Sequence, residues 1–433
     1  MEEKKIAVIG AGPMGLGVAY QLVKEGYKPI VFEADDRIGG MSASFNFGNI
    51  EIERYYHFHC TGDNDLINIL SELNLLKELN WVHTRMGYYF NGIIQDWGDP
   101  ISLLKFKGIS NLSKLRYGLH AFFSIKRRNW ANLDGIKAKE WITKWIGEEA
   151  YKVLWSKLFE LKFYEYSGDI SAAWIWSRMK RVGKSRYNIF KEKLGYLNGG
   201  VKTLLNEIKN IIETGGGVIL LNNKVKNIII ENNKVKGIET NKGYYDCNVV
   251  ISTIPIPLIP EIIKDLPETI RNNYKAVKNI GCVCVIIKLK KALTKYFWIN
   301  INDKEMDIPG IIEYSNLNPS VGHIIYVPYY MPQKNNKYQE ADDIFIQKTI
   351  SYLKQLNRDL NDEDIIDSKV NRYFYAQPVY TTNFLNALPD VKLPIDGLWI
   401  ADTSYYYPDD RGLSESIGFG RRLVEKVVES ELS

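Results

Sequence analysis

The chain has 433 residues, 45% of them hydrophobic and 25% charged, with a net charge of +5 from 56 basic and 51 acidic side chains. That length exceeds one ordinary hydrophobic core, so two domains or one large composite are expected, and the balance excludes a disordered chain. The small net charge supplies no whole-molecule field for nucleic acid, and four cysteines without paired spacing exclude a disulfide framework.

The chain passes directly from MEEKK into Ile6 to Ile9, an apolar run that fits a buried parallel strand, so no signal peptide is expected. Gly10-Ala11-Gly12-Pro13-Met14-Gly15 follows at once. Residues 16 to 25 carry helical periodicity, Gly26 breaks them, and Pro29 to Phe32 forms a second strand ending at Glu33. In a dinucleotide fold each glycine has a task. Gly10 makes the tight turn, Gly12 lets backbone approach a pyrophosphate, and Gly15 lets helix and strand pack closely. The helix N-terminus presents free N–H groups to the phosphates. Glu33, 21 residues beyond Gly12, is placed to accept hydrogen bonds from the adenosine ribose and disfavours a 2′-phosphate, which argues against NADP. Three glycines alone are weak evidence, but here they sit in a complete βαβ unit with the acid at the strand end. Asp36-Arg37-Ile38-Gly39-Gly40-Met41 then adds a second glycine pair with an arginine, another close approach of backbone to phosphate.

ERYYHFHC (53 to 60) contains His57 and His59, but only three other histidines exist and none has ligand spacing, so no metal site is expected. His57 is a candidate for proton transfer, set against plain packing. Residues 101 to 130 hold Lys105, Lys107, Lys114, Arg116, Lys126, Arg127 and Arg128 with no Asp or Glu, interleaved with Leu, Phe and Ile. They read either as a membrane-surface or anion-facing helix or as a solvated basic face. WITKWIGEEAYKVLWSKLFELKF (141 to 163) has helical spacing, with Trp141, Trp145 and Trp155 directed to the core. Residues 195 to 240 read as a Gly-Gly turn, an amphipathic helix, a Gly-rich turn, a strand and a hairpin about Asn232-Asn233, and Tyr245 to Thr253 as one further strand. GCVCVIIKLK, YFWINI, GIIEYSN and HIIYVPYY alternate as strands of a mixed sheet, with Cys282 and Cys284 as buried thiols on one face. Leu398 to Ala401 then runs as a strand into Asp402, PDDRG turns the chain at Arg411, and a helix begins at Leu413 with Ser414 or Ser416 as its cap. Ligands of doubly wound sheets gather beyond the strand ends, which sends Asp402 and this helix N-terminus to the same cofactor.

Glu33, Arg37, Gly39 and Gly40 form an E-x-x-x-R-x-G-G pattern. With ERYYHF, ISTIP, AQPVYT and YPDDRG, it resembles the FAD-dependent family that holds amine oxidases, protoporphyrinogen oxidases, phytoene desaturases and UDP-galactopyranose mutases, along nearly the whole chain. The resemblance implies an α/β fold: a Rossmann-like FAD-binding domain on a doubly wound parallel sheet, with an inserted α+β substrate domain containing a mixed sheet and a helical part. The expected division is 1–58, 187–264 and 386–433 for FAD, and 59–186 with 265–385 for substrate. It also assigns FAD contacts to Pro13, Met14, Ala34, Arg37, Gly39, Gly40, Met41, Val225, Thr253, Arg411, Leu413, Ser414 and Ser416, beside Gly10, Gly12, Gly15, Glu33 and Asp402. Ala401 stands where the family usually has glycine, and ISTIPIPLIPEIIK offers no lysine before Lys264 to match the one many amine oxidases hold near the flavin.

The expected function is an FAD-dependent oxidoreductase passing a hydride between a small or lipid-like organic substrate and flavin N5. The alternative is a non-redox mutase acting on a nucleotide sugar. His57, Arg54 and Tyr375 are the catalytic candidates. Arg85, Tyr164, Trp298, Tyr329 and Tyr373 are further pocket candidates, since arginines clamp anions and rings wall a flavin. The expected partner is a small molecule, anionic or nucleotide-linked among the candidates, and no nucleic acid. The expected location is cytoplasmic, with peripheral membrane contact at 101 to 130 left open.

Overall fold

The computed structural model describes residues 4–264 and 266–432. Strand β1 (Ile6–Ile9) leads through a glycine turn into helix α1 (Pro13–Lys24) and strand β2 (Ile30–Phe32). Pro13 opens α1, where its missing N–H leaves nothing unpaired. Later, β3 (Met86–Phe90) and β4 (Ile93–Trp97) form a hairpin turning at Asn91-Gly92. Helices α2 (Pro100–Lys105), α3 (Asn111–Lys126), α4 (Ala138–Ile146), α5 (Lys157–Phe163) and α6 (Ala172–Lys184) follow, then a small hairpin of β5 (Arg186–Asn188) and β6 (Lys191–Glu192). The chain continues with α7 (Val201–Thr214), β7 (Val218–Leu220), β8 (Val225–Glu231), β9 (Lys234–Thr240), β10 (Tyr244–Asp246) and β11 (Val249–Ser252). Next come β12 (Asn279–Leu289), β13 (Trp298–Asn302), β14 (Gly310–Glu313), β15 (His323–Pro332) and β16 (Ile365–Pro378), and finally β17 (Leu398–Ile400) and α8 (Leu413–Val427).

Five of these strands make a parallel sheet in the order β7-β2-β1-β11-β17. Its register levels the strand ends that matter. Ile9 lies opposite Ser252, and Ser252 opposite Ile400, so Gly10, Thr253 and Ala401 emerge side by side. The pleat sends Ile6, Val8, Val31, Val249 and Ile251 into a core with α1, α7 and α8. Ala7, Ile9, Phe32 and Val250 point to the opposite face, closed by the antiparallel sheet β8-β9-β10, where Tyr245 meets Phe32 edge-on at 4.9 Å between ring centres. The β8–β9 turn is Asn232-Asn233, both in the left-handed region, as a two-residue hairpin requires. The stretch expected as one strand from Tyr245 to Thr253 is two. Cys247 and Asn248 separate β10 from β11, which belong to different sheets.

Seven strands form the second sheet, in the order β16-β12-β15-β14-β13-β3-β4. All pairs are antiparallel except β13 with β3, where Trp298 faces Met86 in a parallel register. The expected mixed sheet is therefore present but wider. Its last two strands, Met86–Phe90 and Ile93–Trp97, come from the earlier insertion and were not among the expected strands. The expected helix at 141 to 163 is also interrupted, at Gly147 (φ 86).

Helices α1 and α8 cross with their backbones nearly touching. A methyl on Gly420 would lie 2.4 Å from the Met14 carbonyl oxygen, and one on Gly17 would lie 2.8 Å from that of Ile417. This crossing draws both helix N-termini to the level where β1, β11 and β17 end.

Candidate active site

A cleft of about 260 Å³ opens where these ends converge, lined on one side by the glycine turn and on the other by the second sheet and α6. At the turn, a methyl on Gly15 would sit 1.9 Å from the Gly10 carbonyl oxygen and 2.8 Å from the Thr253 hydroxyl, so any side chain there forces α1 off β1. Gly12 differs. Its backbone is ordinary (φ −70, ψ 175), and a Cβ on it would meet nothing within 4 Å. Neither conformation nor protein packing calls for glycine at that place, so the open space is itself the reason. Gly12 is also the N-cap of α1, with no side-chain cap, which leaves first-turn N–H groups for an anion.

Glu33 accepts the Ala11 N–H at 2.7 Å and the Asp35 N–H at 2.9 Å, which seats its carboxylate against the glycine turn. Thr253 donates its hydroxyl to the Ile9 carbonyl at 2.9 Å. Asp402 is buried and accepts the N–H groups of Ile256 (2.9 Å) and Ser404 (2.8 Å), joining the ends of β11 and β17. Burial pushes its carboxyl up despite those bonds. The expected serine caps are corrected. Gly412 caps α8 with no side-chain bond, Ser414 Oγ accepts the Leu66 N–H, and Ser416 Oγ meets the Tyr406 hydroxyl. Glu415 instead folds back over Gly412, its carboxyl raised to about 7 by burial, which Arg181 opposes.

Of the residues expected at the cofactor, the cleft gathers Gly12, Pro13, Met14, Gly15, Gly40, Met41, Thr253, Asp402, Arg411, Leu413 and Ser416, with His57 and Tyr375 from the catalytic candidates. Gly10, Glu33, Ala34, Gly39, Val225 and Ser414 are not among its walls. Arg37 turns to Asp36 and to the Ser44 carbonyl. Arg54 pairs with Asp35, two residues beyond Glu33, so it stands apart from His57 and Tyr375. Trp298 and Tyr373 line the cleft. Arg85 belongs to a separate polar pocket, and Tyr329 packs with Phe345 in the core behind the sheet.

His57 Nε2 lies 3.1 Å from the Ser42 hydroxyl. Burial, with help from His59 and Arg411, lowers the His57 pKa to about 3, so the ring is neutral at physiological pH. Around it stand Tyr55, Tyr56, Trp298, Tyr330 and Tyr373.

Arg411 was expected at the cofactor, whereas Arg178 and Lys162 went unread in the sequence. Arg411 donates to the Ala376 carbonyl and to the Tyr330 hydroxyl, and forms no ion pair among the described residues. Arg178 bonds Asp410 at 2.7 Å, and Trp174 Nε1 donates to the same carboxylate at 3.2 Å. Burial disfavours the charge on Asp410, but the guanidiniums of Arg178 and Arg411 outweigh it and hold the carboxyl well below its usual range. Arg178 thus holds Asp410 in an ion pair, while Arg411 acts on it only through space. Beside them Lys162 is buried, its Nζ 4.9 Å from the Trp174 ring centre and 5.3 Å from that of Tyr330, and burial drives its pKa well down. Arg181, by contrast, is neutralised by a two-pronged bond to the buried Asp63. Alternation of Arg178 and Arg181 with Ser177 and Val182 on one face of a helix was the available signal.

A parallel sheet whose strand ends meet a glycine turn, an uncapped helix N-terminus and a strand-end acid defines a dinucleotide-binding protein, and these donors fit FAD. The family model described as "Flavin containing amine oxidoreductase" matches residues 15–404, and the chain belongs to that family. It is an FAD-dependent oxidoreductase. The 15-cis-phytoene desaturase of Arabidopsis thaliana is 21% identical over 441 residues, covering 92% of this chain and 75% of its own. Protoporphyrinogen oxidase 2 of the same plant is 28% identical over 127 residues, 29% of this chain and 25% of its own. In fold, a reduced UDP-galactopyranose mutase superposes with a TM-score of 0.76 at 16% identity, over 98% of this chain and 96% of that one.

Proposed function

We propose that this enzyme acts on an organic anion, holding a carboxylate or phosphate of the substrate against Arg411 while a substrate carbon faces the flavin. FAD would be held by the Gly10–Gly15 turn, Glu33, Gly39, Gly40 and Met41, and would supply hydride transfer at N5. The parallel sheet then serves as the cofactor part and the wide mixed sheet with α2 to α6 as the substrate part. The observation that carries the reading is the state of the two guanidiniums at the cleft: Arg178 pairs with Asp410, and Arg411 forms no ion pair among the described residues, so an incoming anion completes a set that an ammonium substrate would worsen. Tyr56, Trp298, Tyr330 and Tyr373 wall the substrate and exclude water. His57, held neutral, positions the substrate or the flavin edge through hydrogen bonding rather than as a base at neutral pH.

Anaerobic mixing with a panel of organic carboxylates and phosphates tests the reading. Bleaching of the flavin spectrum by an anionic compound supports it, with a KM that rises in Arg411→Gln while bound FAD stays. Bleaching confined to cationic amines would overturn it. Isomerisation of a nucleotide sugar without net bleaching would favour the mutase alternative.

A further inference from the structure

Helix α3 is built inside out. Its buried positions are Ser113, His120 and Ser124, with Tyr117 half-buried between them. The opposite side carries Leu112, Leu115, Leu119, Phe122 and Phe123, each between 45% and 65% exposed. A helix meant for water places these sets the other way round. The arrangement is held firmly: Trp176 Nε1 donates to the Ser124 carbonyl at 2.9 Å, His120 packs between Trp141 and Trp145, and Arg116 bonds the carbonyls of Lys144 and Trp145. The apolar side continues onto α2, where Ile101 and Leu104 are exposed and Lys114 Nζ bonds the Leu104 carbonyl at 2.9 Å. It continues again at the β5–β6 hairpin. Arg186 donates to the Gly98 carbonyl, and Phe190 shares a pocket with Asp99 and Ser102 of the α2 N-terminus. That hairpin exposes Tyr187, Ile189 and Phe190 at its tip.

The charge carried by α2, α3 and the residues just after them has one sign. Residues 100 to 133 contain seven lysines and arginines and no Asp or Glu, and none of the seven forms an ion pair among the described residues. No described helix is long and apolar enough to cross a membrane. An apolar patch of leucine and phenylalanine with an unpaired basic surround fits the headgroup boundary of an anionic bilayer: the rings and leucines enter the acyl edge while the basic groups meet phosphates.

The geometry points to α2, α3 and the β5–β6 tip as a docking face for an anionic lipid surface. The face is one helix away from the cleft. Helix α6 lines the cleft through Ser177, Arg178, Arg181 and Val182, and meets α3 through Trp176 and Gly183. Docking therefore sets the substrate side of the enzyme next to the membrane without inserting a span.

The test is co-sedimentation of the flavin-loaded protein with vesicles of phosphatidylcholine alone and of equal parts phosphatidylcholine and phosphatidylserine. The protein is expected to sediment with the second and not the first, and to be released by salt. The triple variant Leu115→Glu, Leu119→Glu, Phe122→Glu should lose roughly a hundredfold or more of this partitioning. Lys105→Gln with Lys107→Gln should lose roughly tenfold or more. Ile366→Glu, an exposed apolar position on β16, should change nothing, and all variants should keep their flavin. Failure of the native protein to sediment with the acidic vesicles overturns the inference, as does equal binding by the triple variant. A reversible dimer in analytical ultracentrifugation that the triple variant abolishes also overturns it, because the face would then belong to a second copy of the chain.

Discussion

Replacing Gly12 by alanine separates the two reasons a protein keeps a glycine. The backbone there is one that alanine adopts readily, and a methyl would meet no protein atom within 4 Å. Alanine restricts the unfolded chain but is a poorer N-cap, and these effects of opposite sign leave the apoprotein within about 1 kcal/mol of wild type. On the proposed reading, the methyl would occupy the space where the pyrophosphate lies. Losing one charge-assisted backbone bond to a phosphate costs about 1.5–3 kcal/mol, which is a roughly 10- to 150-fold weaker Kd for FAD. The assay pairs titration of flavin-free protein, followed by quenching of FAD fluorescence, with thermal melts in and out of excess FAD. Gly12→Ala should melt like wild type without FAD and gain much less from it. Gly15→Ala is the contrast: its methyl, 1.9 Å from the Gly10 carbonyl, should damage folding itself. An unchanged Kd in Gly12→Ala, or an apoprotein that no longer folds, would refute the reasoning.

Glu192 is buried beside Thr84, and burial raises its carboxyl to about 7, so folding resists its ionisation. That cost is absent below the unfolded pKa, grows as pH rises and is complete above about pH 7. Glu192→Gln should therefore be more stable than wild type by on the order of 2 kcal/mol at about pH 8 and lose the advantage near pH 4.5, read by urea denaturation. His120 behaves in the opposite sense. Burial between two tryptophans lowers it to about 4, with neither ring nitrogen bonded, so its contribution is intact above about pH 6.5 and falls away as pH drops toward 4. His120→Phe should remove part of this acid lability, about 2 kcal/mol at about pH 5. Lys162, held toward the neutral amine, should take up a proton when an anion binds beside Arg411. Affinity for a bound carboxylate should then strengthen as pH falls, and Lys162→Met should flatten that dependence without destabilising the protein.

The parallel-sheet half of the fold was legible because its constraints are local. A buried strand, a glycine turn, a helix and an acid at the next strand end follow one another within residues 6 to 33, and each has a single physical reading. The Asn232-Asn233 hairpin was legible for the same cause. The β3–β4 hairpin was missed although Asn91-Gly92 announces it, since MGYYF and IIQDW lack the strict apolar–polar alternation of a half-buried strand. Its parallel pairing with β13, some 200 residues later, has no local signature at all. Arg178, Lys162 and Asp410 come from three separate elements, and only packing brings them together. Arg54 misled on chemistry alone, because an arginine near a cofactor motif looks the same in sequence whether it faces substrate or a neighbouring aspartate. Residues 101 to 130 allowed two readings in sequence, because nothing local there says that Ser113, His120 and Ser124 are the residues that face inward.

The most direct measurement is to denature the purified protein, identify what is released, and count it against the protein. The account predicts intact FAD, not FMN or a nicotinamide nucleotide, approaching one per chain and restored to the refolded or stripped protein by FAD alone. Protein that carries no flavin, cannot be loaded with FAD and melts at the same temperature in its presence would contradict the account.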